Sequence, residues 1–254
     1  MVKIMGIINL TPDSFFAPSR YNMSILESNA DIVDIGAIST RPGAEDVSEE
    51  EEWSRLLPFL EQWRQSPPKG KQLSIDTTRA SIVQKAYDTL GPFIVNDISA
   101  GEDDSAMLPA VRSLGLPYIA MHKRGNPRTM DSLADTGSDI IVQLLDYFER
   151  FANDCGLDNW ILDPGLGFAK SKEQNIEIVQ RLGELKRIGR PILIGAADKR
   201  FTEGNTEYYH LLALRQGADI FRVHDVVAFE KTYAQYQKEC AAGENQPVPM
   251  RREN

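Results

Sequence analysis

The stretch ILDPGLGFAKSKEQN, residues 161–175, places a carboxylate at the end of an apolar run, directly before Pro-Gly. A buried carboxylate is costly unless something pairs with it. Asp163 therefore predicts either a partner supplied by the fold or a ligand that binds at this point of the chain.

Polar residues end the other apolar runs of the chain in the same way. A single such residue is expected to bond loop backbone, but so many together exceed what a structure needs at one edge. The set comprises Asn9, Asp34, Asp76, Asn96 with Asp97, His122, Asp163, Lys199 in the loop after the seventh run, and Arg222 with His224.

One part of this set suits the edge of a flat heterocycle. A carboxylate such as Asp76 or Asp163 accepts two N–H bonds from an amino-imine edge. Asn96 offers one donor and one acceptor, and Lys199 donates to a ring carbonyl or nitrogen. These side chains therefore predict recognition of a ring that carries both donors and acceptors.

A second part is cationic and indicates an anion site. Arg41, in STRPG, and Arg222, in RVHD, suit bidentate contact with phosphate or carboxylate. His224 follows Arg222 at alternate spacing, which in a strand directs both side chains to the same side. Asn9, with the TPDSF segment after it, could hold hydrated Mg2+ beside the anion, since Mg2+ uses few protein oxygens and borrows those of phosphate.

Eight short apolar runs carry these residues and read as buried parallel strands. Helical patterns separate most of them, so the sequence predicts an α/β fold with a single (β/α)8 TIM barrel, whose active site lies at the carboxyl ends of the strands. An open doubly wound sheet is the alternative, but no glycine-rich dinucleotide turn follows the first strand. The first helix is predicted to be abbreviated, because only MSILESN (23–29) is available. The predicted strands are 3–9, 30–36, 72–77, 93–99, 117–122, 160–165, 191–196 and 218–225, and the main predicted helices are 49–65 with Ser48 as cap, 79–90, 104–115, 138–156, 173–189 and 206–217.

Composition limits the classes of function. The 254 residues predict one domain over 1–240 followed by a polar tail over 241–254. A net charge of −9 argues against nucleic-acid binding, and no apolar stretch is long enough for a membrane span. The two cysteines have no metal or disulfide spacing, which favours a reducing compartment, and we expect a cytoplasmic protein.

Taken together, the motifs resemble the dihydropteroate synthase family. The resemblance covers nearly the whole chain in family order, and TPDSF, STRPG, DPGxGFxK and RVHDV in sequence are highly specific. The matching segments are MGIINLTPDSF (5–15), DIGAISTRPGAE (34–45), SIDT (74–77), VNDIS (95–99), AMHKRGNPRTM (120–130), ILDPGLGFAKSKEQN (161–175), ILIGAADKRF (192–201) and RVHDV (222–226).

The resemblance implies a pterin-binding TIM barrel, usually a homodimer, that uses Mg2+ and is a target of sulfonamides. It implies condensation of 6-hydroxymethyl-7,8-dihydropterin pyrophosphate with p-aminobenzoate in folate biosynthesis, with release of pyrophosphate. Matched by motif, the pterin would bind to Asp34, Asp76, Asn96, Asp163 and Lys199; pyrophosphate to Asn9, Arg41, Arg222 and His224; p-aminobenzoate to Thr40, Arg41, Pro42 and Phe168; Mg2+ to Asn9; and the catalytic residues would be Arg41, Lys199, Arg222 and His224.

The chain departs from the family pattern in three loops and in its first helix, which is much shorter than usual. FAPSRYN replaces the Ser-Asp-Gly-Gly that usually follows TPDSF, and Ala37-Ile38 replaces Gly-Glu. Ala197-Asp198 replaces Ser-Arg before Lys199. In the family this serine lies by the carboxylate of p-aminobenzoate, so the resemblance implies that a solvated Asp198 roughly 4 Å from that carboxylate would repel it by about 1 kcal/mol.

These departures leave two alternatives to an active synthase. One is a paralogue that binds pterin pyrophosphate but has changed or lost its acceptor. The other is a pterin-dependent methyltransferase on the same barrel, against which the anion-binding residues count, since methyl transfer releases no pyrophosphate.

Overall fold

A computed structural model describes residues 2–10, 20–38, 47–125, 139–196 and 199–243, with residues 20–23 described by their backbone alone. Within these ranges, strands and helices alternate along the chain. The strands are β1 (Lys3–Asn9), β2 (Ile32–Gly36), β3 (Gln72–Asp76), β4 (Ile94–Asp97), β5 (Tyr118–Met121), β6 (Trp160–Asp163), β7 (Leu193–Ile194) and β8 (Ile220–Val223). The α-helices are α1 (Arg20–Glu27), α2 (Glu49–Gln65), α3 (Ala80–Leu90), α4 (Met107–Leu114), α5 (Ile140–Asp154), α6 (Lys172–Gln180), α7 (Thr206–Arg215) and α8 (Val226–Ala241).

The strands form one parallel barrel. Their order is β6-β5-β4-β3-β2-β1-β8-β7, and every strand pair is parallel. A parallel bridge between Leu162 and Ile192 joins the two ends of the sheet and closes it. The predicted (β/α)8 barrel is therefore confirmed.

The interior of the barrel explains how the polar residues reach its mouth. Seven strands contribute one apolar side chain each to a buried inner layer: Met5, Ile32, Ile94, Ile119, Ile161, Leu193 and Ile220. Because side chains of a strand alternate between its two faces, the residue two positions later faces inward again, one layer closer to the carboxyl end. On β2, β4, β6 and β8 those residues are Asp34, Asn96, Asp163 and Arg222. The apolar layer thus forms the floor of a polar site.

The opposite strand faces pack against the helices in the main hydrophobic core. Trp160 on β6 illustrates the packing: it is fully buried and contacts Phe148 and Phe151 of α5, with ring centroids 6.2 and 4.9 Å apart. Burial of each such large side chain stabilises the fold by roughly 1.5–3 kcal/mol. The helices therefore stabilise the barrel by packing on the outer faces of the strands, and the polar groups lie at the carboxyl ends of the strands.

The helices agree with the sequence pattern except at three places. Ser48 caps α2 as predicted, accepting a hydrogen bond from the Glu51 backbone N–H. The first helix is short, as predicted, but begins at Arg20 and ends at Glu27. The predicted single helix over 173–189 was wrong, because α6 ends at Gln180 and Leu182–Ile188 form a 3-10 helix. Gly183 lies at this break, where an added Cβ would sit 3.0 Å from the side chain of Gln216, the residue directly after α7.

The third difference is at the carboxyl end. Residues 226–241 form α8, a sixteen-residue helix that the sequence patterns above do not include. The predicted boundary at 240/241 falls in the last turn of this helix, and tail residues 244–254 lie outside the described chain. None of the described helices is long and apolar enough to cross a membrane.

Candidate active site

An ion-pair network occupies the polar layer above the barrel floor. Arg222 donates from Nε to Asp34 Oδ2 at 2.7 Å and from Nη2 to Asp76 Oδ2 at 2.8 Å. Asn96 donates from Nδ2 to both oxygens of Asp34, at 3.2 and 3.3 Å. The strand register produces this arrangement. Asp76 of β3 pairs with Asn96 of β4 on one side and with Gly36 of β2 on the other, and Gly36 in turn pairs with Asn9 of β1. Side chains of β2, β3, β4 and β8 therefore meet in one network, in which the Arg222 guanidinium bonds the carboxylates of β2 and β3.

Burial gives this network unusual electrostatics. Desolvation raises the pKa of Asp76 to about 7, although Arg222 acts in the opposite direction. Burial also works against the charge of Arg222, but the carboxylates of Asp34 and Asp76 outweigh it and raise the pKa of the guanidinium. Two carboxylates thus share one cation, and burial lets Asp76 hold a proton up to near neutral pH.

Asp163 completes the polar layer and has unused hydrogen-bonding capacity. Its Oδ1 accepts the Gly165 backbone N–H at 2.8 Å, the one donor among the described residues that reaches this carboxylate. Burial raises the pKa of Asp163, against the effects of that hydrogen bond and of the nearby charges of Arg222 and Lys199. A buried carboxylate with a single partner is suited to accept further N–H bonds from a ligand.

Lys199 reaches the same mouth from the loop after β7. Its Nζ lies 4.5 Å from the centre of the Phe168 ring. Burial, with the positive charge of Arg222, lowers the pKa of Lys199 to about 8. The ring of Phe168 belongs to a small apolar cluster with Met121, Ala169 and the partly buried Ile98. The site therefore combines polar edge-binding groups with an apolar wall, as a flat heterocycle requires.

Two strand-end residues of the predicted set have structural roles. Asp97 accepts hydrogen bonds from the Ser99 N–H and hydroxyl, the Gly101 N–H and the Tyr118 hydroxyl, at 2.6–2.8 Å. This fully satisfied carboxylate organises the β4 loop. His122 is buried against Tyr147, edge to face at 4.8 Å, and burial lowers its pKa to about 2. The imidazole is therefore neutral at pH 7, and its ring packs against Tyr147.

His224 lies on the rim rather than in the polar layer. β8 ends at Val223, so the strand alternation used to pair His224 with Arg222 does not extend to it. His224 lines a cavity of about 230 Å³ together with Asn205, Thr206 and Asp225, at the amino-terminal ends of α7 and α8. Helix amino termini favour anions, which is compatible with its predicted role.

The predicted magnesium site can be examined only at Asn9, which is partly buried at the carboxyl end of β1. Among the described residues, no cluster of three acidic, histidine or cysteine side chains is arranged to hold a metal ion. An amide oxygen at this position fits a Mg2+ that takes most of its ligands from water and phosphate. Residues outside the described chain include Thr11–Phe15, Thr40, Arg41, Pro42, Ala197 and Asp198.

Two polar residues of the segment after Asp163 have structural roles that the sequence motifs did not predict. Lys170 and Asn175 are both buried and bond the backbone of the loop that follows β6. The available signal was their position: a lysine directly before a helix cap, and an asparagine on the apolar face of α6.

Comparison with known proteins agrees with this geometry. The sequence matches the family of pterin binding enzymes over residues 5–224. Dihydropteroate synthase of Synechocystis sp. is 39% identical over 251 residues, covering 89% of this chain and 86% of that protein. Dihydropteroate synthase of Bacillus subtilis is 36% identical over 246 residues, covering 88% of this chain and 83% of that protein.

Solved structures agree as well. Xanthomonas albilineans dihydropteroate synthase with 4-aminobenzoic acid superposes with a TM-score of 0.83 at 31% identity, covering 94% of this chain and 93% of that one. Burkholderia cenocepacia dihydropteroate synthase complexed with 7,8-dihydropteroate superposes with a TM-score of 0.82 at 29% identity, covering 97% of this chain and 94% of that one. Barrel, polar layer and sequence match agree, and the chain belongs to the pterin-binding enzymes and, among them, to the dihydropteroate synthase family.

Proposed function

We propose that this protein condenses 6-hydroxymethyl-7,8-dihydropterin pyrophosphate with p-aminobenzoate, giving 7,8-dihydropteroate and pyrophosphate. The observation that carries the proposal is the polar layer at the barrel mouth. Asp34, Asp76, Asn96 and Arg222 form one network there, and Asp163 retains acceptor capacity beside it. Such a layer is costly for a barrel by itself and becomes useful when a polar ring binds.

The pterin would bind edge-on to this layer. Its aminopyrimidine edge would donate to Asp163, while Asn96 would supply a donor and an acceptor and Lys199 would donate to the ring carbonyl or a ring nitrogen. The ring face would lie against the apolar cluster around Phe168, and the Phe168 ring would also border the p-aminobenzoate site. In this arrangement the methylene that carries the pyrophosphate points toward the rim.

The reaction breaks the bond between the methylene carbon and the pyrophosphate oxygen, and forms a bond from that carbon to the amine of p-aminobenzoate. Electron release from the pterin ring stabilises positive charge on the carbon as the bond lengthens. Arg222, with His224 and Arg41, would stabilise the negative charge of departing pyrophosphate. The amine is neutral at pH 7 and loses one proton after attack, so no strong general base is needed.

Magnesium remains part of the proposal. Asn9 would supply one protein oxygen to an ion held mainly by pyrophosphate and water, which would neutralise charge on the leaving group. We further propose that the protein is a cytoplasmic homodimer. We also propose that sulfonamides inhibit it, which is supported by the structure of the Yersinia pestis dihydropteroate synthase with a sulfonamide drug complex.

The test is pyrophosphate release by the purified protein with pterin pyrophosphate and Mg2+, in the presence and absence of p-aminobenzoate. Release that depends on p-aminobenzoate is the expected result. Tight pterin pyrophosphate binding without such release would instead favour the paralogue with an altered acceptor, and would direct attention to Ala197-Asp198. Omission of Mg2+ from the same assay tests the metal.

Asp163→Ala tests the orientation of the pterin. It should abolish 6-hydroxymethylpterin binding in calorimetry, because the carboxylate accepts the aminopyrimidine edge. Asp158→Asn, which changes an exposed carboxylate just before β6, is the matched control and should bind normally. Unchanged affinity of Asp163→Ala would contradict the assignment.

A further inference from the structure

Lys170 is a buried cation bound to backbone oxygens. The residue is 7% exposed. Its Nζ donates to the carbonyls of His122, Gly165 and Phe168 at 3.2, 2.9 and 3.0 Å. The three N–H bonds of the ammonium therefore match three acceptors, and none of these acceptors belongs to a helix.

The acceptors come from two different strand ends. His122 follows β5, whereas Gly165 and Phe168 belong to the turn after β6. The turn is tightly docked at this point, because a Cβ on Gly165, whose φ is +69°, would lie 2.1 Å from the His122 carbonyl oxygen. Lys170 thus joins the turn to the neighbouring strand where the two backbones already touch.

Asn175 braces the same turn from the α6 side. Its Oδ1 accepts the Gly167 N–H at 2.7 Å, and its Nδ2 donates to the carbonyls of Lys170 and Ser171 at 3.1 and 2.7 Å. The side chains of Lys170 and Asn175 therefore bond five backbone groups of the segment between Asp163 and α6.

The ammonium also has an electrostatic relation to the site. Lys170 has no carboxylate hydrogen-bonded to it among the described residues, and burial lowers its pKa to about 7. The nearby charge of Asp163 works against that shift. Lys170 in turn favours the ionised form of Asp163, which is the form that accepts N–H bonds from a heterocycle.

We propose that Lys170 is a positioning residue for the reaction, which fixes the turn after β6 so that the Asp163 carboxylate and the Phe168 ring meet the substrates in one geometry. It acts through these two residues, since its ammonium is saturated by backbone carbonyls and does not face the substrate. The inference rests on the proposed function, because both residues bind substrate only if the chain uses a pterin.

The experiment compares Lys170→Met, which removes donors and charge, with Lys170→Gln, which keeps two donors and loses the charge. Lys172→Met is the matched control, because Lys172 is an exposed lysine two residues away that pairs with Glu203 on the surface. Calorimetry gives the Kd for 6-hydroxymethylpterin, and steady-state rates give kcat and the KM for p-aminobenzoate.

We expect Lys170→Met to raise the pterin Kd about tenfold or more and to raise the KM for p-aminobenzoate, as loss of hydrogen bonds from a charged group predicts. Lys170→Gln should raise both by less, and the control should match the unaltered protein. If Lys170 only stabilised the fold, its substitution would reduce the fraction of protein that is active. The apparent kcat would then fall while Kd and KM stayed unchanged, and that result would overturn the inference.

Asn175→Ala keeps the test decisive if Lys170→Met does not fold. It loosens the same turn without removing the buried charge, and it should shift the same two constants. Unchanged constants in folded Asn175→Ala and Lys170→Gln would refute positioning by this turn. Failure of the unaltered protein to bind 6-hydroxymethylpterin would instead refute the proposed function.

Discussion

Asp76→Asn should stabilise the protein while removing pterin binding. Burial raises the pKa of Asp76 from an ordinary value of 3.8 to about 7. A raised carboxyl pKa means that the folded state holds the proton more tightly than the unfolded chain does. The contribution of this group to stability therefore falls as the pH rises from about 4 to about 7.

The expected magnitude follows from the size of the shift. One pKa unit corresponds to ~1.4 kcal/mol, so ionisation of Asp76 costs the fold about 4 kcal/mol at pH 8. At pH 5 the folded carboxyl remains protonated and the cost is only about 2 kcal/mol. Asparagine resembles the protonated carboxyl and still offers an oxygen to Arg222. The free energy of unfolding of the variant should therefore exceed that of the unaltered protein by roughly 2–4 kcal/mol at pH 8 and by less at pH 5.

Urea denaturation at pH 5 and pH 8 measures this difference, and pterin calorimetry on the same samples measures the loss of function. Asp88→Asn, on the surface of α3, is the control for loss of one carboxylate, and it should show no comparable gain at pH 8. The prediction is wrong if the Asp76→Asn variant is no more stable than the unaltered protein at pH 8. That result would mean that attraction to Arg222 outweighs the burial of this carboxylate.

Three further predictions concern other parts of the molecule. Glu52→Ala, which removes a fully buried carboxylate that binds Arg79, should cost about 3–5 kcal/mol in urea unfolding, whereas Glu51→Ala at an exposed pair should cost less than ~1 kcal/mol. Gly165→Ala should destabilise by more than ~2 kcal/mol, because its Cβ would overlap a neighbouring carbonyl. Gly70→Ala, also at positive φ but in open space, should cost only ~1–2 kcal/mol by the same measurement. Pterin affinity should fall as the pH rises through about 8, since Lys199 then loses its proton, and Lys199→Met should remove this pH dependence from calorimetric titrations.

Local pattern was enough to predict the barrel but not every helix. The strands appear as short apolar runs of Ile, Val and Leu, and their order along the chain leaves few ways to pair them. Helix 173–189 was predicted too long because an amphipathic period continues through Gly183, whereas the close approach of Gly183 to Gln216 appears only in the tertiary structure. The last helix, α8, was missed by the pattern and is plain in the structure.

The composition of the site was also readable from the sequence, whereas the role of each member was not. Asp97 and Asp163 look alike in sequence, since each ends a buried strand. The first is satisfied by four donors and the second by one among the described residues. That distinction depends on what other strands and loops bring to each carboxylate, which periodicity does not report.

By itself, the sequence determined which residues face inward at the carboxyl ends of the strands, because alternation along a strand is a local property of the backbone. Tertiary structure decided which of them meet. Arg222 pairs with Asp34, 188 residues away, and with Asp76, 146 residues away, and Lys170 is buried only because two strand ends close around it. Pairings and pKa shifts of this kind arise when distant strands exclude water from charged groups, and they exist only after the barrel has closed.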